Sequence, residues 1–480
     1  MAAPRLYIGG ACIHAYEMNV ETGAITVAAP PMSDGQCSGS FMVPSKDGSK
    51  LYTTASPGAA AFAIDANSGA LAHINTVATE IAGNSHIELD GAELAVVLSA
   101  YGGGGVNVLQ LQADGSLAGG SSVQHVGGSM GDPARQDKPH PHSSFVDPGG
   151  GRLLVSDLGT DKIHTYTMAD GALSESSVYS SAAGAGPRHV CFHPNGQWVY
   201  SINEMDCTMT LLQYDGAAGA LGPCLQSIST LPEGYDNKGE HALNKNAAGG
   251  PASGPNSPGQ TNATADVHVT PDGRFVLGSN RGHDSLVCFA IDSKDGAMSL
   301  VGFTSTGGEH PRNFGIHPTG RWVVVANQNT NNVVIFSFDP ATGAMVPTGQ
   351  QLTEVTKPRC VKWSSPAVAT SEEGAGLAAV AAATAPLLAK IAELEAAAAG
   401  KSTEGLVTLA DLIGELPDVH CTKGSIEVRG LTLTYWRYAK TDADKPPGES
   451  LSSCPARAGC APLIMRGAGP HVSQLQSLAR

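Results

Sequence analysis

Short apolar runs alternate along this chain with turns rich in Pro, Asp, Asn and Gly, and one phrase keeps returning. It reads His193-Pro194-Asn195-Gly196-Gln197-Trp198-Val199-Tyr200, then Thr270-Pro271-Asp272-Gly273-Arg274-Phe275-Val276-Leu277, then His317-Pro318-Thr319-Gly320-Arg321-Trp322-Val323-Val324. Each copy is a strand end, a turn and an apolar strand. A second strand follows, Ser285-Leu286-Val287-Cys288-Phe289-Ala290 in one copy, and a turn ending in Gly-Ala or Gly-Ser closes the unit. The interval is about 45 residues, and repeats of that length made only of strand and turn predict the blades of a β-propeller.

Aligned on their turns, the units number seven. The second runs from about Phe41 through Asp47-Gly48 to Gly69-Ala70, and the third includes Asp90-Gly91, Tyr101 and Asp114-Gly115. The fourth spans Pro139 to Gly171-Ala172, the fifth Pro187 to Gly219-Ala220, the sixth Ala265 to Gly296-Ala297 and the seventh Pro311 to Gly343-Ala344. The first unit, Arg5-Leu6-Tyr7-Ile8-Gly9 through Thr22-Gly23, lacks an inner strand. Lys357-Pro358-Arg359-Cys360-Val361-Lys362-Trp363 echoes Gly186-Pro187-Arg188-His189-Val190 and supplies it. Sharing a blade between the two ends of the repeat closes the ring and removes exposed sheet edges. The expected fold is therefore all-β, a seven-bladed propeller over residues 1–364. Two excursions break the spacing: Gly127 to Pro139, and a stretch from about Leu231 to Thr264, rich in Gly, Pro, Asn and Ser, that reads as a long surface loop.

Composition narrows the partners. The 480 residues leave room for one large propeller and something further, and the formal net charge of −15 argues against nucleic acid or an anionic membrane as a bulk partner. Ten cysteines form no CxxC pair and have no zinc-site spacing with histidines, so they read as small buried apolar residues in a reducing compartment. There is no apolar run near the length of a membrane span, and Asn262-Ala263-Thr264 has sequon form without a secretory segment to give it meaning. A soluble cytoplasmic protein is the expectation, with oligomeric state open.

Loops on one mouth of a propeller converge on its axis. Five segments there carry a concentration of polar residues: Lys138-Pro139-His140-Pro141-His142-Ser143, Gly186-Pro187-Arg188-His189, Ser201-Ile202-Asn203-Glu204, Ser279-Asn280-Arg281-Gly282-His283-Asp284 and Glu309-His310-Pro311-Arg312-Asn313. Together with the Asp157-Leu158-Gly159-Thr160-Asp161 turn and the run from His310 to Phe336, these motifs resemble the lactonase family of seven-bladed propellers. That family contains bacterial-type 6-phosphogluconolactonases and fungal carboxy-cis,cis-muconate cyclases. The resemblance covers residues 5 to about 363 and is densest in the second half of the ring. At the start of the second blade the chain has Ser38-Gly39-Ser40 where many relatives carry Asn-Pro-Ser, and Tyr101-Gly102-Gly103 lacks a usual preceding Asn. The resemblance implies a site of His142, Arg188, Glu204 and Arg281, with His140, His283 and Arg312 expected to bind substrate.

The chemistry of that set is coherent. Lactone hydrolysis needs a water activated by a base and donors for the oxyanion formed at the carbonyl. Glu204 or His142 can be the base, and Arg188 and Arg281 can hold the oxyanion or clamp a phosphate or carboxylate. Converging arginines in an acidic protein point to a small anionic substrate. Structural readings compete. Arg188, Arg312 and Arg359 all follow Pro at one repeat position and can pair with carboxylates between blades. His189, His193 and His317 read as packing residues, and Asp157 and Asp161 as turn formers. His140 and His142 share a strand face as a metal pair would, but no third ligand has matching spacing, so no metal or cofactor is expected.

After Trp363 the style changes. Gly376 to Ala399 reads as an Ala/Leu-rich helix interrupted by Pro386, and Leu406 to Leu416 as another, giving a helical linker over 365–424. Ser425 to Tyr438 reads as a hairpin turning at Arg429-Gly430, followed by a strand at Pro462 to Met465 and the turn Arg466-Gly467-Ala468-Gly469-Pro470. Residues 425–480 resemble the opening of a proline-iminopeptidase-type α/β-hydrolase. No Gly-x-Ser-x-Gly elbow or acid follows, so this piece is expected to be non-catalytic. The leading function is hydrolysis of a sugar-acid lactone, 6-phosphogluconolactone foremost. The rivals are cyclisation of a carboxymuconate and a non-catalytic binding platform.

Overall fold

The computed structural model describes residues 4–33, 37–169, 171–235 and 262–364, together with the backbone of Lys423–Val428, Leu431–Trp436 and Ile464–Arg466. The chain divides into two units, Met1–Gly374 and Ala375–Arg480.

The first unit is seven four-stranded antiparallel sheets. Blade 2 is Cys37–Pro44, Lys50–Ala55, Gly58–Ile64 and Leu71–Ala78, and blade 3 is Asn84–Leu89, Ala95–Ala100, Gly105–Leu111 and Leu117–Gln124. Blade 4 is Pro141–Val146, Leu153–Asp157, Lys162–Ala169 and Ala172–Ser180, and blade 5 is Pro187–Phe192, Trp198–Asn203, Thr208–Asp215 and Ala220–Ser229. Blade 6 is Ala263–Val269, Phe275–Arg281, Ser285–Ile291 and Met298–Ser305, and blade 7 is Pro311–Ile316, Trp322–Asn327, Asn332–Phe338 and Met345–Leu352. Blade 1 joins Arg5–Gly9, Ile13–Met18 and Ile25–Met32 to Cys360–Ser364, whose register pairs Gly9 with Cys360 and Arg5 with Ser364. The predicted seven-bladed ring and its closure are both present.

The first strands of successive blades pack on one another around the ring, which makes them the inner strands. Middle strands such as Ala95–Ala100 and Trp322–Asn327 are buried throughout, whereas fourth strands alternate between exposed and half-buried residues. The apolar core lies between neighbouring sheets, as in the cluster joining Trp198, Tyr200 and Ile202 of blade 5 to Val276, Val287 and Phe289 of blade 6. This explains the recurring phrase. Its aromatic residue sits beneath the closing glycine of the next blade: a Cβ on Gly296 would lie 2.6 Å from the Trp198 ring, and one on Gly343 would lie 2.6 Å from Phe275. Both glycines have positive φ, so the turn and the close approach require the same residue. Tyr200 Oη adds a hydrogen bond of 2.8 Å to the Gly296 carbonyl, tying the two blades together.

In the second unit, Lys423–Val428 pairs antiparallel with Leu431–Trp436, which pairs with Ile464–Arg466. Val428 faces Leu431, the register expected for a hairpin turning at Arg429-Gly430. The helices expected at Gly376–Ala399 and Leu406–Leu416 lie outside the described residues, as does most of the Leu231–Thr264 stretch. Asn262 and Thr264, at its end, are buried. Among the described residues no helix is long and apolar enough to cross a membrane.

Candidate active site

The same irregularity recurs near the start of the inner strands. Pairing skips Ser85 in blade 3, His142 in blade 4, Arg188 in blade 5 and Arg312 in blade 7. Such bulges re-aim a side chain that regular alternation would hold against a neighbouring sheet. Before three of the four stands a proline, Pro141, Pro187 or Pro311, with no N–H to offer a ladder. The four bulged residues line one cavity of about 340 Å³ with Tyr101, Arg135, Glu204 and Arg281.

Glu204 is the hub. It follows the second strand of blade 5 directly, and its N–H donates to the Gly186 carbonyl at 2.8 Å. Its buried carboxylate receives Arg135 Nη2 at 2.6 Å on Oε1, and Arg188 Nε at 2.9 Å and Arg281 Nη2 at 2.8 Å on Oε2. Burial opposes its charge, but the guanidiniums of Arg281, Arg135 and Arg188 outweigh it and hold the carboxyl well below the usual carboxylate range. A carboxylate so engaged is a poor proton acceptor and a good organiser. Arg281 is fixed further by the carbonyls of Ala263 and Thr264, Arg188 by that of Ala265, and Arg135 by Tyr101 Oη at 3.0 Å.

His142 differs. Neither ring nitrogen has a hydrogen-bond partner among the described residues; Nδ1 is out of contact with solvent, which leaves Nε2 as the nitrogen open to the cavity. Burial first, then the Arg188 charge, hold its pKa well below the ordinary histidine value, so the imidazole is neutral at pH 7. Ser85 Oγ donates to the His142 carbonyl at 2.9 Å, and the ring packs between those of Tyr101 and His189.

Arg312 is the cation with capacity to spare. Among the described residues it has no hydrogen-bond or ion-pair partner, so the carboxylate pairing between blades that its repeat position suggested is not made there. Burial, with Arg281 and Arg359 nearby, pushes its pKa down to about 10. Arg135 Nη1 is likewise buried without a partner. Four guanidiniums thus surround one carboxylate, a crowding that an incoming anion relieves.

Of the seven residues expected at the site, His142, Arg188, Glu204, Arg281 and Arg312 meet at this cavity, and His140 and His283 are not in its lining. His140 stacks on the Tyr101 ring, and its Nδ1 lies 2.8 Å from the Tyr101 carbonyl. His283 bonds through Nδ1 to Ser285 Oγ at 2.7 Å and packs against Tyr235 and Phe303. His189 pairs with Asp266 at 2.8 Å, a packing residue with a satisfied ring nitrogen. Sequence reasoning missed Arg135, Tyr101 and Ser85 as site residues. For Ser85 the signal was available, since it occupies the same bulge as His142; Arg135 has no repeat partner at all.

A family model for the seven-bladed β-propeller lactonases matches residues 6–363. The chain is 32% identical over 311 residues to the 6-phosphogluconolactonase of Bacillus subtilis, covering 64% of this chain and 81% of that protein. It is 31% identical over 320 residues to the 6-phosphogluconolactonase of Formosa agariphila, covering 64% and 82%. Among solved structures, the periplasmic gluconolactonase of Pseudomonas aeruginosa is similar with a TM-score of 0.65 and 26% identity, over 76% of this chain and all of that one. With its ring, its closing strand and this match along nearly the whole propeller, the chain belongs to the seven-bladed β-propeller lactonase family.

Proposed function

We propose that the protein hydrolyses a sugar-acid lactone carrying a second anionic group, 6-phosphogluconolactone being the best fit, with His142 as base. The observation that carries this reading is the contrast at the cavity between one neutral imidazole without a partner and a carboxylate bound by three guanidiniums. Between the two candidate bases, Glu204 has three of its four lone-pair sites taken and its basicity lowered by the guanidiniums, whereas His142, with its proton on Nδ1, has Nε2 unengaged.

In this mechanism water at His142 Nε2 adds to the lactone carbonyl as its proton passes to the imidazole. The oxyanion forms against Arg188 and Arg281, whose positions Glu204 fixes in advance of the reaction. The tetrahedral intermediate then collapses, the ring C–O bond breaks, and the departing alkoxide takes the proton back from the imidazolium. The products are a hydroxy acid and a regenerated neutral His142. Arg312 and Arg135, with donors unengaged, hold the remote phosphate or carboxylate. The likeness to named 6-phosphogluconolactonases supports the phosphorylated substrate.

The test is a coupled assay of purified protein with fresh 6-phosphogluconolactone, read above the spontaneous rate, beside a parallel assay with a carboxymuconate. His142→Ala should lower kcat by roughly 10²–10⁴-fold, the usual contribution of a general base. Turnover of the muconate alone would move the assignment to the cyclase branch, and no turnover of either would favour a binding platform.

A further inference from the structure

A second cluster of ligating side chains lies outside the substrate cavity. His125 directly follows the last strand of blade 3, Asp157 ends the second strand of blade 4, and His164 lies in the third strand of blade 4. One ligand atom from each falls within 4.8 Å of the others, and all three residues are buried. His125 Nδ1 is 2.7 Å from Asp157 Oδ2, and the two imidazole rings have centroids 4.2 Å apart.

The outer contacts fix how these groups present themselves. His164 Nδ1 lies 2.8 Å from Glu175 Oε2, so it carries the proton and Nε2 is left as a bare lone pair. That Nε2 is buried and has no hydrogen-bond partner. His125 Nε2 lies 2.9 Å from Tyr166 Oη, which can accept its proton once Nδ1 is needed as a ligand. Histidines that bind metal are held in this way, with the far nitrogen on a carboxylate or another acceptor. The Asp157 carboxylate is fully buried, and among the described residues it faces no lysine or arginine at ion-pair distance; its only ion-pair partner is His125. Asp157 Oδ1 is held by the backbone N–H groups of His140, Gly159 and Thr160, so Oδ2 is the oxygen that a divalent cation would take, together with the unpaired lone pair of His164 Nε2.

We infer that His125, Asp157 and His164 form a binding site for a divalent transition-metal ion, Zn²⁺ by ligand type. Two imidazoles and a carboxylate suit that ion, and a tetrahedral centre with bonds of about 2.0–2.1 Å needs ligand atoms roughly 3.3–3.5 Å apart. The His125–Asp157 pair would open from 2.7 Å, and the wider spacings, none above 4.8 Å, would close. Water completes the fourth position.

The site stands at the base of the excursion that carries Arg135. Both ends of that segment meet at Asp157: His125 on Oδ2, and the His140 N–H on Oδ1 at 2.8 Å. Between them Arg135 reaches Glu204 at 2.6 Å. A metal here would pin the loop to blade 4 and thereby steady one wall of the substrate cavity without touching substrate.

The experiment titrates Zn²⁺ into chelator-stripped full-length protein, reading stoichiometry by calorimetry and melting temperature with and without one equivalent. One equivalent should bind and raise Tm, as any ligand selective for the folded state does. His164→Ala should abolish that binding. Glu175→Gln, at a half-exposed carboxylate where folding is not at stake, should weaken it by roughly 10–100-fold. Failure of the wild type to bind one equivalent overturns the assignment. So does wild-type affinity in Glu175→Gln or in folded His164→Ala, which would place the ion elsewhere, on a cysteine for example.

Discussion

Blades 4 to 7 and blades 2 and 3 share a backbone device and differ in what they mount on it. Ser85 in blade 3 occupies the bulge that presents His142 in blade 4, Arg188 in blade 5 and Arg312 in blade 7. In blade 2 the register shift falls between Cys37 and Met42, around Ser38-Gly39-Ser40. One half of the ring thus offers charge and imidazole, and the other offers hydroxyls and glycine. Architecture is common to the ring; what each bulge contributes to the site is a property of the residue placed in it.

The largest effect that would sharpen this contrast is loss of the hub. Glu204→Gln leaves buried guanidiniums facing a neutral amide, so stability should fall by about 3–5 kcal/mol in denaturant unfolding, with activity near background. A stable, active Glu204→Gln protein would break the picture of a charge-organised half. Next is Arg312→Ala. Removing a cation with no partner among the described residues, the proposed holder of the remote anion, should raise KM and lower kcat/KM by roughly 10–100-fold, with melting little changed. A large drop in Tm would return Arg312 to a scaffold role.

Acidity probes the same half. Burial, with Arg188 behind it, keeps folded His142 neutral far below pH 6.5, and His189 is held down to about 4 by burial and Arg188 against the opposing pull of Asp266. The unfolded chain therefore binds these protons first, and stability is intact above about pH 6.5 and declines as pH falls below it. With His142 as the proposed base, the acid limb of kcat/KM should likewise lie well below the ordinary histidine value, since the neutral imidazole would be the working form. A limb centred at 6.5 or higher would remove His142 as base. The smallest effect belongs to the quiet half: Ser85→Ala should change kcat by less than about threefold, because its hydroxyl serves only carbonyl oxygens. A hundredfold loss there would place chemistry in blade 3.

The ring was legible because its turns are local. A Pro/Asp/Gly corner followed by an apolar strand is written within eight residues, as at Thr270–Leu277, and the partner of the N-terminal strand was found by its likeness to another inner strand. His142, Arg188, Glu204 and Arg281 were legible through the motifs that carry the family resemblance, and Arg312 through the position after Pro that it shares with Arg188. Arg135 was not. It sits in an aperiodic excursion, and its role comes from a contact with Glu204 made 69 residues away in sequence. His140 and His283 share the composition of the true lining residues, but they precede or follow the positions that the backbone turns toward the axis. The choice between Glu204 and His142 was hidden as well, because basicity here depends on how many guanidiniums crowd one carboxylate.

The blade completed by Cys360–Ser364 has a consequence for how the molecule is made. On the ribosome Arg5–Gly9 emerges first, yet its inner neighbour in the ring arrives last, after roughly 20–70 s of elongation at 5–20 residues per second. Until then the nascent sheet carries a bare hydrogen-bonding edge, and the final latch is among the most sequence-distant contacts in the chain. Synthesis of this propeller therefore ends with its most vulnerable strand being the one that has waited longest.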